Sequence, residues 1–173
     1  MRKVYLDRTP GEAVSVYIRN AEVIPAGTTV CSMPSRCRNA EYDRWQQEYG
    51  ISFLFDDMRM EFPFYAVPWV DIFAVDNEGG CLGTLGQQTD LEGNAPICYI
   101  KDRKCCLIAE SGPDFRKKAS DWRNCLTEYT GVTLYDSREQ AARTLEFAVT
   151  EDLKDGSGSG AGMESRSTPQ LCD

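Results

Sequence analysis

The chain has 173 residues, of which 42% are hydrophobic, enough for one globular domain with its own core. Its 27 Asp and Glu outnumber its 19 Lys and Arg, giving a formal charge of −8, a field that repels nucleic-acid phosphates and anionic membranes and favours a basic partner. Histidine is absent, which excludes Ser-His-Asp triads, Cys-His pairs and His-ligated metals and leaves carboxylates, Lys, Tyr or a thiolate for any proton transfer.

From the N-terminus, Glu12–Ile18 places Val14, Val16 and Ile18 at period two, as in a half-buried strand. Val23-Ile24 and Thr28–Cys31 continue in β-type composition, broken by Pro25-Ala26-Gly27, and Met33–Arg38 reads as a loop. Asn39 is positioned to cap a short helix over Ala40–Tyr49, with Gly50 placed to stop it in the left-handed conformation and Trp45 and Tyr49 forming one packing stripe. Ile51–Phe55 then reads as a strand. Asp56–Glu61 is a charged interruption. Its adjacent carboxylates Asp56 and Asp57 point to opposite sides of an extended chain, so a solvated loop is expected there rather than a metal or acid–base pair.

Apolar runs separated by Gly, Pro, Asn and Asp clusters fill residues 63–115, the pattern of short strands joined by tight turns. Val70–Val75 leads into the turn Asp76–Gly80, where glycine permits positive φ. Gly79, Gly80, Gly83 and Gly86 lack the spacing and the following helix of a phosphate-binding loop. Gln87–Ala95 is a polar loop. Ile97–Ile100 and Cys105–Ala109 flank a charged hairpin turn, Lys101–Lys104. Beyond Gly112-Pro113, Asp114 is read as the cap of the clearest helix, whose stripe runs through Phe115, Ala119, Trp122, Leu126 and Tyr129 and ends at Gly131. Val132–Tyr135 is one more extended segment. Ser137-Arg-Glu-Gln140 fits a capping box opening a last helix to about Leu153, with Ala141, Ala142, Leu145, Ala148 and Val149 on its apolar side. From Lys154 the composition becomes Gly/Ser-rich and polar, so the domain is placed at 1–153 and a flexible tail, resembling an engineered linker, at 154–173.

The eight cysteines include no C-x-x-C pair, and the N-terminus is already charged, so neither zinc nor a signal peptide is expected and a reducing cytoplasm is the simplest setting. Cys31 and Cys37 flank a Pro-containing loop where they are placed to pair or react. No apolar run approaches the roughly 20 residues that span a bilayer.

The segment from about Pro63 to Tyr129 resembles the SUKH superfamily, which contains yeast cell-wall-synthesis regulators and many bacterial toxin-immunity proteins. The resemblance rests on the Asp76-Asn-Glu-Gly-Gly80 turn leaving a hydrophobic strand, on the strands Ile97–Ile100 and Cys105–Ala109, and on Glu110–Phe115 opening a helix that carries Trp122. It implies an α+β domain, a mainly antiparallel twisted sheet with helices packed on one face or end. It also implies binding rather than catalysis, with no cofactor: an immunity-type inhibitor that occludes a basic toxin domain such as a nuclease or deaminase. The charge points the same way, since an acidic surface steers a basic enzyme in and orients it. Candidate partner contacts are Asp56, Asp57, Asp76, Glu78, Asp90 and Glu92, all in expected turns, with Trp69 as an anchor whose alternative is the core. Two other readings stand beside this one. One is a regulatory interaction module of the same fold, and the other an enzyme using paired carboxylates or a Cys31 or Cys37 nucleophile.

Overall fold

The computed structural model describes residues 1–10 and 18–148. Apart from Ile18, the strand expected over 12–18 lies outside those residues, as does the Gly/Ser-rich tail. β1 (Arg2–Asp7) and β2 (Ala21–Ala26) form a parallel pair, and β3 (Thr28–Val30) follows after Gly27 alone. Pro25 is inside β2 rather than breaking it; with φ near −65° proline fits an extended chain, and it pairs here with Leu6 in a two-stranded ribbon.

α1 (Ala40–Arg44) continues into a wider π turn to Tyr49 and stops at Gly50, whose φ of 70° is left-handed. The Asn39 carboxamide oxygen accepts from the backbone N–H of Glu41 at 2.9 Å, as its N-cap position requires. The helix buries Tyr42 and Trp45 and delivers the chain to β4 (Ile51–Phe53). β5 (Tyr65–Val67), β6 (Val70–Asp76), β7 (Cys81–Leu85), β8 (Ile97–Lys101) and β9 (Lys104–Ala109) complete the central region. In the main sheet β9, β8, β7 and β6 are antiparallel neighbours. β3 (parallel) and β4 (antiparallel) divide the far side of β6 between them. The fold is α+β, with a mixed, mostly antiparallel sheet.

Alternation along the strands sends side chains to two cores. One face packs Phe53, Phe73, Leu82, Ile97, Tyr99 and Ile108 against Trp45 from the α1 side and Phe115 and Trp122 from the helical segment after β9. The other gathers Val70, Ile72, Cys81, Leu85, Cys98, Ile100 and Cys105 under the chain between β4 and β5.

Both later helices are shorter than their sequence patterns suggest. α2 (Gly112–Lys118) is capped by Ser111, whose hydroxyl accepts from Asp114 N–H at 3.2 Å; Asp114 is inside the first turn and accepts instead from Glu110 N–H. A 3₁₀ segment, Ala119–Cys125, follows, with Asp121 at a non-helical φ of −135°. The chain then extends as β10 (Thr127–Glu128) and pairs with β9, so the apolar stripe does not continue as helix to Tyr129, which is exposed. Open backbone groups on β9 claim this stretch before another helical turn forms. β11 (Thr133–Tyr135) pairs with β5. α3 (Arg138–Ala142) is capped by Ser137 as its pattern requires, but ends a decade of residues early: Tyr5 donates to Glu146 C=O and accepts from Ala148 N–H, laying 146–148 beside β1. Ala142 is exposed, and residues 149–153 lie outside the described part.

Candidate functional site

The turn after β6 is built around a carboxylate that faces inward. Asp76 Oδ1 accepts the backbone N–H of Gly80 at 2.6 Å and of Glu78 at 3.1 Å; Oδ2 accepts Tyr99 O–H at 2.5 Å and the Arg123 guanidinium at 3.3 Å. Burial alone would raise this carboxyl. The hydrogen bonds from Tyr99, Gly80 and Glu78, with the Arg123 charge, outweigh it and hold Asp76 below the usual carboxylate range. Burial and the same Asp76 contact push the Tyr99 phenol up, so the pair rests as carboxylate and neutral phenol. Gly79, at φ 88°, turns the chain, and Gly80 leaves room for Tyr99 where a side chain would overlap the phenol ring.

Arg123 closes the turn from outside. It lies 4.4 Å from the centre of the Trp122 ring, donates to Asn77 Oδ1 at 3.2 Å and reaches Glu78 at 3.1 Å; Lys101 approaches the same Glu78 carboxylate at 3.5 Å. Trp122 in turn donates its indole N–H to Tyr49 C=O at 2.7 Å, fastening the 3₁₀ segment to the end of the first helix. The rim is thus a surface of mixed charge, with Asn77, Glu78 and Arg123 exposed and Asp76 underneath.

The candidate contacts do not gather in one place. Asp76 and Glu78 share the turn, but Asp76 is buried and unavailable to a partner, because four donors converge on it. Asp90 and Glu92 belong to the loop leaving β7, whose last residue Leu85 pairs with Val70 at the opposite end of β6. Asp90 accepts Glu92 N–H at 2.9 Å, and Glu92 pairs with Arg116 at 3.2 Å. Asp56 and Asp57 lie beyond β4. Asp56 accepts Ser35 N–H at 2.9 Å, while Asp57 pairs with Arg38 at 3.1 Å, so each carboxylate has its own partner.

Trp69 is a core residue, 8% exposed. Its indole donates to Thr29 Oγ1 at 2.6 Å, Thr29 donates to the buried Asp71 at 2.6 Å, and Arg8 stacks 4.8 Å from the ring centre. Asp71 also accepts Thr89 N–H at 2.9 Å, which pins the polar loop after β7 to the sheet.

Tyr99, Lys101 and Arg123 were not singled out by the sequence reading. Tyr99 offered one weak signal, a phenol inside an otherwise apolar strand. Cys31 is buried and forms no disulfide with Cys37, which is itself disulfide-bonded, so neither is well placed to act as a nucleophile. Among the described residues no three Cys, Asp or Glu side chains are arranged to hold a metal ion, and no helix is long and apolar enough to cross a membrane. The chain matches no known protein family, no curated protein and no solved structure, so its candidate site rests on its own geometry.

Proposed function

We propose that the chain is a cytoplasmic protein-binding module of the immunity type, neutralising a toxin domain of nuclease or deaminase class by covering its basic groove. It would touch neither nucleic acid nor membrane itself. The observation that carries this reading is the surplus of exposed carboxylate. Beyond the acids already paired, Asp43, Glu48 and Glu61 are exposed and form no ion pair among the described residues. Such a surface attracts a cationic partner over a Debye length and fixes its approach. The resting states of Asp76 and Tyr99 support a structural clasp over an acid–base pair. The SUKH resemblance of residues 63–129 is the reading's other support.

A second reading, a regulatory module of the same fold with a non-toxin partner, is favoured by one observation. The 76–80 rim presents Glu78 already held by two cations, which suits a partner of balanced charge. Co-expression with the toxin encoded beside this gene, the arrangement the resemblance implies, separates the two. Restored growth and a co-purifying complex support the immunity reading. No rescue and no complex sinks it, and recovery of a cellular regulator in its place supports the second.

A further inference from the structure

Among the described residues Cys37 alone is disulfide-bonded. Cysteine accounting names its partner. The chain has eight cysteines. Cys31, Cys81, Cys98, Cys105, Cys106 and Cys125 form no disulfide, so within one chain only Cys172 remains. Chain length permits the bond. The described part stops at 148, and the residues from there to 172 reach at most about 80 Å, twice the roughly 40 Å width of a domain this long.

Cys37 is an anchored attachment point. It closes the 3₁₀ turn Ser35–Cys37, donating its N–H to Pro34 C=O at 2.9 Å. The turn is held on both sides: Ser35 N–H reaches Asp56, and Arg38 pairs with Asp57 and stacks 4.5 Å from the centre of the Phe55 ring. Upstream, Met33 donates to Leu54 C=O at 2.9 Å and accepts from Asp56 N–H at 2.8 Å. Cys37 itself is half-buried, whereas Cys31, Cys81, Cys98 and Cys105 are buried. A small thiol therefore reaches its sulfur without opening the core.

We propose that Cys37 and Cys172 form a redox latch, which fastens the C-terminal segment to the Met33–Arg38 loop when oxidised and releases it when reduced. The reductant is a low-molecular-weight thiol such as glutathione. Its thiolate attacks the Cys37 sulfur, the Cys37–Cys172 bond breaks, and Cys172 leaves as a thiolate that takes up the proton the first glutathione lost. A second glutathione thiolate attacks the glutathione sulfur of the mixed disulfide, and Cys37 leaves and takes up the second proton. Two protein sulfurs gain two electrons, and two glutathiones lose them as one glutathione disulfide.

The test equilibrates the full-length chain in glutathione buffers from oxidising to reducing, blocks thiols with iodoacetamide, and reads intact mass and unreduced peptide maps. The expected oxidised form carries one cross-linked peptide joining Cys37 and Cys172, and the reduced form carries both as alkylated thiols. Cys37→Ser and Cys172→Ser each abolish the cross-link, and Cys125→Ser leaves it unchanged. Peptide maps of the unmodified chain decide the case in which Cys37→Ser fails to fold. Trypsin cleavage after Arg36 and Arg38, both exposed, and amide exchange over 33–38 are slower in the oxidised chain than in the reduced one. Cys172→Ser shows the fast rates in both buffers. A cross-link to any other cysteine, a disulfide-linked dimer through Cys37, thiols all alkylated in the most oxidising buffer, or cleavage rates indifferent to the redox state overturn the proposal.

Discussion

Replacing Asp76 tests the clasp that fixes the rim. Asp76→Ala deprives four donors of their acceptor at once: the Gly80 and Glu78 N–H groups, the Tyr99 hydroxyl and the Arg123 guanidinium. Each charge-assisted hydrogen bond contributes about 1.5–3 kcal/mol, but donors near the surface recover water, so the terms do not add. Removing one partner of a buried ion pair typically costs about 3–5 kcal/mol; Asp76 is buried but Arg123 is exposed, so the loss for alanine belongs at the lower end of that range, about 3 kcal/mol. Asp76→Asn keeps one acceptor oxygen for the turn and loses the charge, so it should cost about 1.5–3 kcal/mol. Urea unfolding at neutral pH, followed by Trp fluorescence and circular dichroism, measures both.

The sign of the pH dependence follows from the lowered native pKa of Asp76. Its contribution is fully present above the ordinary carboxylate value, about 4. It is lost as pH falls through the lower native value, so the gap between wild type and Asp76→Asn stays constant above about pH 5 and closes under acid. An alanine variant within about 0.5 kcal/mol of wild type, the range of ordinary surface substitutions, or a gap that widens in acid, refutes the reasoning.

Three further substitutions probe the clasp turn, the buried Trp69 network and the α1 cap. Gly80→Ala forces a methyl group into the Tyr99 ring and should destabilise by about 1–3 kcal/mol, the usual cost of overpacking, read as a lower urea midpoint. Trp69→Phe leaves Thr29 without its indole donor and removes part of the surface under Arg8; about 1–3 kcal/mol should be lost, with faster amide exchange in the 87–91 loop. Asn39→Ala strips the cap from α1 and should cost about 1 kcal/mol. An unchanged midpoint there would mean that packing of Tyr42 and Trp45 alone holds the helix.

Local chemistry made part of this fold readable. The Asn39 cap, the Gly50 stop, the Asp76–Gly80 turn and the hairpin between Ile100 and Cys105 are all decided by residues within a few positions of one another. Misreadings occurred where distant chain competes. The stripe from Phe115 to Tyr129 is helical in period throughout, but nothing local reveals that β9 offers Thr127 and Glu128 a sheet edge. The same holds for α3, whose apolar continuation is taken up beside β1. β1 itself was missed because Arg2, Lys3 and Asp7 mask a strand whose Val4 is 1% exposed. The site was the least legible part. Asp76 reads as a solvated turn acid until Tyr99 and Arg123, 23 and 47 residues away, are brought to it.

The proposal that this chain binds a basic partner through its acidic surface is tested most directly by association kinetics. Stopped-flow mixing with the basic toxin domain that the proposal assigns as partner should give an association rate that falls steeply as salt rises from about 10 to 150 mM, across which the screening length shortens from about 30 to 8 Å. A rate indifferent to salt, or no association at all, would contradict it.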